Sequence, residues 1–333
     1  MKNRAMALPV SIFLVAVLML QRPSVARAAD PLPQLTAATL EQWMASLSNW
    51  GRWGEDDQLG TLNLITSEKR RQAATLVTEG VSVSLAFDLA KEASINNEFP
   101  LEHSLLVHDD DGNVFAEDIY TIRYHGFAHS HVDALCHIFH QGKMYNGFPR
   151  SAVKPSGSEQ LGVQTMHQGI FTRGILVDVP WLKELPYLEP GTAVRVEDLE
   201  AWERKTGIRI ANGDVLLVRT GLYKRYQEVG SWDLTQGAAG LHAAVVPWLK
   251  ARDVATVGSD STNEVFPSGI EGMPFPIHRL AVVALGMPLL DNLNLEDLAG
   301  EAQARQRWTF LFVAAPLRVQ GGTGSPLNPL AVF

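Results

Sequence analysis

The sequence predicts an α/β fold built on a mixed sheet. In the second half of the chain, short apolar runs alternate with amphipathic segments, a pattern typical of strands separated by helices. Strand-like segments come closer together near residues 118–140, which indicates that the sheet is not purely parallel. The composition, 46% hydrophobic and 19% charged over 333 residues, is that of an ordinary soluble globular protein.

The first half of the chain begins with a helix over residues 36–47, where apolar residues recur at helical spacing. A loop rich in glycine and acidic residues follows over residues 49–66, and in it Trp50 and Trp53 either cover a pocket rim or anchor the loop. The pattern then predicts a helix capped by Thr66 or Ser67 and ending near residue 77, a strand over 80–89, a long loop over 96–112 and a strand over 118–124.

The second half of the chain carries the clearest alternation. A helix over residues 196–206 ends at Gly207, and a helix over 238–251 is interrupted or kinked at Pro247. Buried strands are predicted over residues 174–179, 214–219, 254–258, 287–293 and 308–315.

The first 28 residues have the pattern of an export signal. Lys2 and Arg4 precede an apolar run over residues 8–20, which is shorter than the roughly 20 residues of a membrane span. Ala26 and Ala28 form a cleavage signal, so we expect a periplasmic or secreted protein cut after residue 28. The alternative is an uncleaved membrane anchor. No linker divides the remainder, and residues 29–333 are predicted to form a single domain.

Charge and cysteine content exclude several classes of partner. Removing the signal takes away four positive charges and moves the formal net charge from −8 to −12. Nucleic-acid binding needs basic surface, so a nucleic-acid partner is not expected. No second apolar span follows, so no stable membrane insertion is expected after cleavage. Cys136 is the sole cysteine; it is a small buried side chain or, less favoured, a nucleophilic thiol.

The chemistry is concentrated in residues 125–140, which hold five of the ten histidines. His131 and Asp133 are two apart and share one face of a strand, while Asp133 and His137 are four apart and stack if the chain turns there. These residue types suit a metal or acid–base site. His131 and Asp133 are the natural first ligands, and His137 is a third ligand or the proton shuttle.

Further ligands must come from distant parts of the sequence. His278 lies in an otherwise apolar run and is either a ligand or a core histidine. Asp291 is a carboxylate within another apolar run, where burial is costly without a partner or a metal. Asp260 follows a predicted strand and is a third candidate, with a helix cap as the alternative. Lys143 and Tyr145, just after the cluster, either contact substrate or are solvated turn residues.

Other catalytic patterns are missing from the sequence. There is no G-x-S-x-G nucleophile elbow, no G-x-G-x-x-G or P-loop pattern, and no H-E-x-x-H. A hydrolytic metal site, which lowers the pKa of a bound water toward roughly 7, is therefore the favoured interpretation.

The residues resemble the cyclase superfamily, which includes bacterial kynurenine formamidase. Its pattern H-x-G-T-H-x-D-x-x-x-H matches His131, Asp133 and His137, and the C-terminal AAPLRVQGGTGSPLNPLAV is also similar. The resemblance covers roughly residues 45–333. It implies a mixed α/β fold with a barrel-like β core and flanking helices, and a homodimer.

The resemblance also assigns roles. His131 and Asp133 correspond to metal ligands and His137 to the general acid/base. His278 and Asp291 complete the site, with aspartate in place of the usual glutamate.

The first metal histidine of the family corresponds to Phe127. Either His129, which would share a strand face with His131, or secondarily His125 replaces it, or the site holds one ion. The expected cofactor is therefore one or two divalent ions, Zn²⁺ or Mn²⁺.

The favoured function is a metal-dependent hydrolase of a cyclic or aryl amide, as in an arylformamidase, or of a lactone. Metal-bound hydroxide would attack the carbonyl of a small-molecule substrate, with His137 moving the proton. Two alternatives remain: a noncatalytic exported protein that binds metal or a small molecule, and a lyase or cyclase that uses the same site.

Overall fold

The computed structural model describes residues 35–110 and 112–333. The predicted signal peptide, residues 1–28, lies outside the described residues. Within the part that is described, no helix is both long and apolar enough to cross a membrane.

Helices flank the sheet and are mostly short. They are α1 (Ala37–Ser46), α2 (Ser67–Ala74), α3 (Val179–Lys183), α4 (Val196–Thr206), α5 (Leu222–Val229), α6 (Val246–Ala251), α7 (Pro276–His278) and α8 (Glu296–Arg305). A π-helix, Arg279–Leu285, continues directly from α7. Single 3₁₀ turns are Gly60–Leu64, Tyr145–Gly147, Arg150–Ala152, Val163–Met166, Leu234–Gln236 and Ala243–Val245.

The strands are β1 (Ser82–Ser84), β2 (Glu102–Asp110), β3 (Asn113–Thr121), β4 (His131–Asp133), β5 (Val153–Lys154), β6 (Gly157–Ser158), β7 (Ile170–Asp178), β8 (Ala193–Val194), β9 (Val215–Arg219), β10 (Gly240–Leu241), β11 (Thr256–Ser259), β12 (Leu289–Asp291), β13 (Thr309–Ala314), β14 (Gly324–Pro326) and β15 (Leu330–Val332).

Nine of these strands form one mixed sheet in the order β1-β15-β13-β7-β9-β11-β12-β4-β14. Strands β7, β9, β11 and β12 run parallel, and the strands outside them pair antiparallel. The sheet curls into a half-barrel, which confirms the predicted mixed α/β fold. The parallel centre is apolar because helices cover it: Val215 to Val218 of β9 are completely buried.

Several predicted elements are confirmed with small shifts in their ends. Thr66 caps α2 as predicted, since its side chain accepts a hydrogen bond from the Lys69 amide. Helix α1 begins at Ala37, one residue after the predicted start, and Thr36 is its N-cap. Helix α4 ends at Gly207, whose φ of 71° lies in the left-handed region.

The prediction of a long loop over residues 96–112 was wrong. Strands β2 and β3 pair residue by residue from Glu102 with Thr121 to Asp110 with Asn113 and form a long hairpin. Its apolar side chains are exposed, Val107 by 71% for example. The hairpin was missed because its strands alternate weakly and neither face is buried in the core.

Two other elements differ from the prediction. Of the strand predicted over residues 80–89, only the three residues of β1 form a strand. The helix over 238–251 begins only at Val246, so Pro247 lies in its first turn rather than at a kink. A proline is favourable there because the amide it lacks would have no partner within the helix.

Candidate metal centre

Strand β4 carries the first part of the site. Residues alternate across a strand, so His131 and Asp133 point to the same side, and a turn closed by a hydrogen bond from the His137 amide to the Ala134 carbonyl follows. The Nε2 atom of His131 lies 3.4 Å from Asp133 Oδ1, and the Nε2 atom of His137 lies 3.9 Å from Asp133 Oδ2. The local geometry thus matches the predicted strand followed by a turn.

The second part of the site comes from strand β12 and helix α7. Antiparallel pairing places Asp291 directly opposite His131. His278 Nε2 lies 3.3 Å from Asp291 Oδ2 and 3.3 Å from Asp133 Oδ2. The distant residues His278 and Asp291 are therefore brought together with His131 and Asp133, as predicted.

Buried polar groups hold these side chains in place. Glu264 accepts from His278 Nδ1 at 2.7 Å and also from the His278 amide, which leaves Nε2 facing the site. Asn263 donates to Asp291 Oδ1 at 2.6 Å. The His129 carbonyl lies 2.8 Å from His131 Nδ1, so Nε2 of His131 also faces the site. This arrangement is typical of metal-ligating histidines.

Asp133 is the centre of the constellation. Its side chain is 1% exposed, and neither of its oxygens accepts a hydrogen bond of good geometry within the described residues. Nevertheless, nitrogens of His125, His131, His137 and His278 lie 3.0 to 3.9 Å away. A buried carboxylate without well-aligned hydrogen bonds is costly, and convergent imidazole nitrogens around it fit a divalent cation.

Two donor groups share Asp133. One contains His125, Asp133 and His137, and the other contains His131, Asp133 and Asp291. Imidazole and carboxylate donors suit Zn²⁺ and Mn²⁺. The residues present therefore fit one ion or two ions bridged by Asp133.

The histidines differ in charge and access. Burial lowers the pKa of His137 to about 4, although Asp133 opposes this. Burial tends to lower the pKa of His278. The negative charges of Glu264 and Asp291 outweigh this effect and raise that pKa well above its usual value. The His137 side chain is 27% exposed, whereas that of His131 is only 2% exposed. His137 is consequently a neutral imidazole with access to the pocket.

A pocket of about 370 Å³ opens over this centre. Its floor contains the histidines and carboxylates described above. Its walls are mainly apolar and come from Phe127, Ile138, Phe139, Pro274 and Phe275. Such a pocket suits a small aromatic or cyclic ligand.

A family model described as “Putative cyclase” matches residues 75–263, more than half of the chain. The chain belongs to the cyclase family. The crystal structure of a novel cyclase, 29% identical, superposes with a TM-score of 0.79 over 86% of this chain and 100% of that one. The predicted family is therefore confirmed.

Isatin hydrolases are also similar to this cyclase-family chain. The isatin hydrolase of Roseibium aggregatum is 26% identical over 151 residues, which are 43% of this chain and 54% of that protein. The match thus spans about half the length of this curated relative. An isatin hydrolase structure with the product analogue thioisatinate shares the fold, with a TM-score of 0.55 at 21% identity over 76% of this chain and 92% of that one.

Of the two histidines predicted as replacements for the family histidine at Phe127, His125 rather than His129 lies against Asp133. His125 Nδ1 lies 3.0 Å from Asp133 Oδ1, and the His125 ring stacks on that of His137 at 3.8 Å. His129 is buried, and among the described residues neither of its ring nitrogens has a hydrogen-bond partner or forms an ion pair with Asp133. The prediction assumed that strand alternation extends back to His129, whereas β4 begins only at His131. Phe127 instead lines the pocket wall.

The weaker substrate-contact predictions lie outside the pocket. Tyr145 is buried and its hydroxyl donates to Asp57. Lys143 is exposed, and its ammonium lies 5.8 Å from the Trp50 ring centre. Trp53 packs beneath the Arg52 guanidinium at 4.7 Å. None of these three residues lines the pocket.

Asp260 proves to be structural. It accepts from the amides of Thr220, Gly221 and Leu222 and so stabilises the start of α5. The supporting residues Glu264 and Asn263 were missed by the sequence analysis. Their signal was available in the polar run TNE between the apolar strand β11 and the VFP segment, but it has no fixed spacing from His278.

Proposed function

We propose that this member of the cyclase family is a metal-dependent hydrolase of cyclic or aryl amides or of lactones. The observation that carries the proposal is Asp133, a buried carboxylate that accepts no hydrogen bond of good geometry among the described residues. Four imidazoles surround it at the floor of an aromatic-walled pocket. The isatin hydrolase relative supports it, since isatin is a cyclic aryl amide.

Different residues of the chain would bind the cation and the substrate. His131, Asp133 and Asp291 would hold the cation together with His278, whose Nε2 lies 3.3 Å from both carboxylates, and His125 would join them beside Asp133. A divalent cation at this position supplies Lewis-acid activation of water and of the substrate carbonyl. The aromatic walls bind the ring of the substrate and exclude bulk water.

His137 moves the proton. Burial lowers its pKa to about 4, so the imidazole is neutral at physiological pH. Its position at the pocket surface then lets the free ring nitrogen accept a proton from the attacking water. It then delivers that proton to the amide nitrogen or lactone oxygen that leaves. Its position at the pocket surface, one turn after Asp133, gives it access to both.

The test is hydrolysis by metal-stripped and reconstituted protein. We expect no turnover after dialysis against a chelator, and recovery with Zn²⁺ or Mn²⁺ on a panel of cyclic amides, aryl amides and lactones that includes isatin. Reactions in ¹⁸O-water should place one labelled oxygen in the product. Turnover without incorporation of label would indicate a lyase or cyclase, and binding without turnover under any metal would indicate a noncatalytic protein.

A further inference from the structure

One cationic side chain lines the pocket without taking part in the constellation around Asp133. Arg279 directly follows His278 at the start of the π-helix and contributes to the wall of the pocket. It is partly buried, and no hydrogen bond, ion pair or ring contact of its guanidinium is present among the described residues.

This lack of a partner is unusual within the protein. The other buried or partly buried arginines that the structure describes all have partners: Arg219, for example, pairs with Asp178 and Glu296, and Arg252 pairs with Glu203. Arginine partly withdrawn from water is normally paired, because its planar donors lose solvation. An unpaired arginine that lines a pocket therefore points to a ligand that pairs with it.

The nearby carboxylates do not serve this purpose. Asp133 and Asp291 line the same pocket, but they lie among histidine nitrogens and form no ion pair with Arg279. Glu264 is fully buried behind His278. The positive charge of Arg279 thus remains available to the contents of the pocket.

A second polar group in the pocket also lacks a partner. Thr262 is 4% exposed, and its hydroxyl forms no hydrogen bond within the described residues. The remaining walls are aromatic and aliphatic, with Phe275 packed edge-on against Phe266 and His278. A flat apolar body with one anionic group and a further hydrogen-bonding atom would satisfy all of these surfaces.

We infer that Arg279 makes the pocket selective for aryl carboxylates, through a charge-assisted hydrogen bond to the carboxylate of the ligand. The inference rests on the proposed function in one respect: it names the substrate and product class of the same site. Hydrolysis of a cyclic aryl amide or lactone itself yields a carboxylate attached to an aromatic body, which Arg279 would retain.

The test is calorimetric binding of benzoate and of its neutral isostere benzamide to the metal-loaded protein. We expect wild type to prefer benzoate by roughly tenfold or more, the range of one charge-assisted hydrogen bond. Arg279→Gln should lower that preference by roughly tenfold and leave benzamide affinity unchanged, while Arg279→Lys should retain part of it. Arg318→Gln is the matched control, because Arg318 is exposed and lies away from the pocket lining.

An unchanged benzoate preference in Arg279→Gln would overturn the inference, since the carboxylate would then be held elsewhere in the site. An equal loss of affinity for benzoate and benzamide in Arg279→Gln would also overturn it, because Arg279 would then only support the pocket wall. The hydrolysis panel is scored separately. Absence of turnover with an Arg279-dependent preference would refute the proposed function but not this inference.

Discussion

At the scale of single residues, the site depends on which imidazoles point at Asp133. His131, Asp133 and His137 could be selected from the sequence because their spacings of two and four are fixed by strand and turn geometry. The choice between His125 and His129 could not be made, because it depends on where β4 begins. The ends of a strand depend on its pairing with strands distant in sequence, so the local sequence pattern does not predict them.

We predict that His137→Ala retains metal but loses activity by roughly 10²–10⁴-fold in kcat, the usual contribution of a general acid–base group. Metal content and kcat should be measured on the same preparation. His140→Ala is the matched control, since His140 belongs to the same cluster in sequence but its ring bonds Glu41 away from the pocket. If His137→Ala loses metal instead, then His137 is a ligand.

Cys136 is predicted to be chemically inert in the native protein. It is completely buried, and burial raises the pKa of its thiol to about 11, so only roughly a thousandth is thiolate at pH 8. Iodoacetamide should therefore label it only after unfolding, and Cys136→Ala should keep full activity. Rapid native labelling accompanied by inactivation would restore the thiol-nucleophile interpretation.

At the scale of elements, the parallel centre and the capped helices could be predicted, because buried strands are continuously apolar and caps are local. The β2–β3 hairpin could not, since both of its faces are exposed and lack the alternation that burial imposes. The convergence of β4, β12 and α7 was also beyond local patterns. His278 and Asp291 were candidates because each is a polar residue in an apolar run, and the family resemblance then joined them to His131 and Asp133.

The contact between the loop at Gly60 and the end of the π-helix supports the segment that begins with His278. A Cβ on Gly60 would lie 1.8 Å from the Gly286 carbonyl oxygen, and its φ is +58°. We predict that Gly60→Ala lowers the free energy of unfolding by at least about 2 kcal/mol through this clash.

Chemical denaturation measures this effect against Gly300→Ala. Gly300 lies in α8 with open space around its Cα, so alanine there should stabilise the protein by about 0.5–1 kcal/mol. Equal stability of the two variants would show that the Gly60 contact is not part of the native packing.

At the scale of the whole molecule, we propose export and assembly into the homodimer that the family resemblance implies. The mature protein should begin at Ala29, because the A-x-A signal ends at Ala28. Intact mass and N-terminal sequencing of protein from the periplasm or medium test the cleavage, and light scattering on the same material tests the dimer. Full-length protein retained in the membrane would support the uncleaved anchor instead.

The central claim is that Asp133 organises a metal centre, and metal content tests it most directly. Elemental mass spectrometry of protein purified without added metal should find one or two equivalents of a divalent ion. Asp133→Asn, which keeps the shape but removes the charge, should contain almost none, whereas His140→Ala should match wild type. Stoichiometric metal in Asp133→Asn, or none in wild type after reconstitution with Zn²⁺ or Mn²⁺, would contradict the claim.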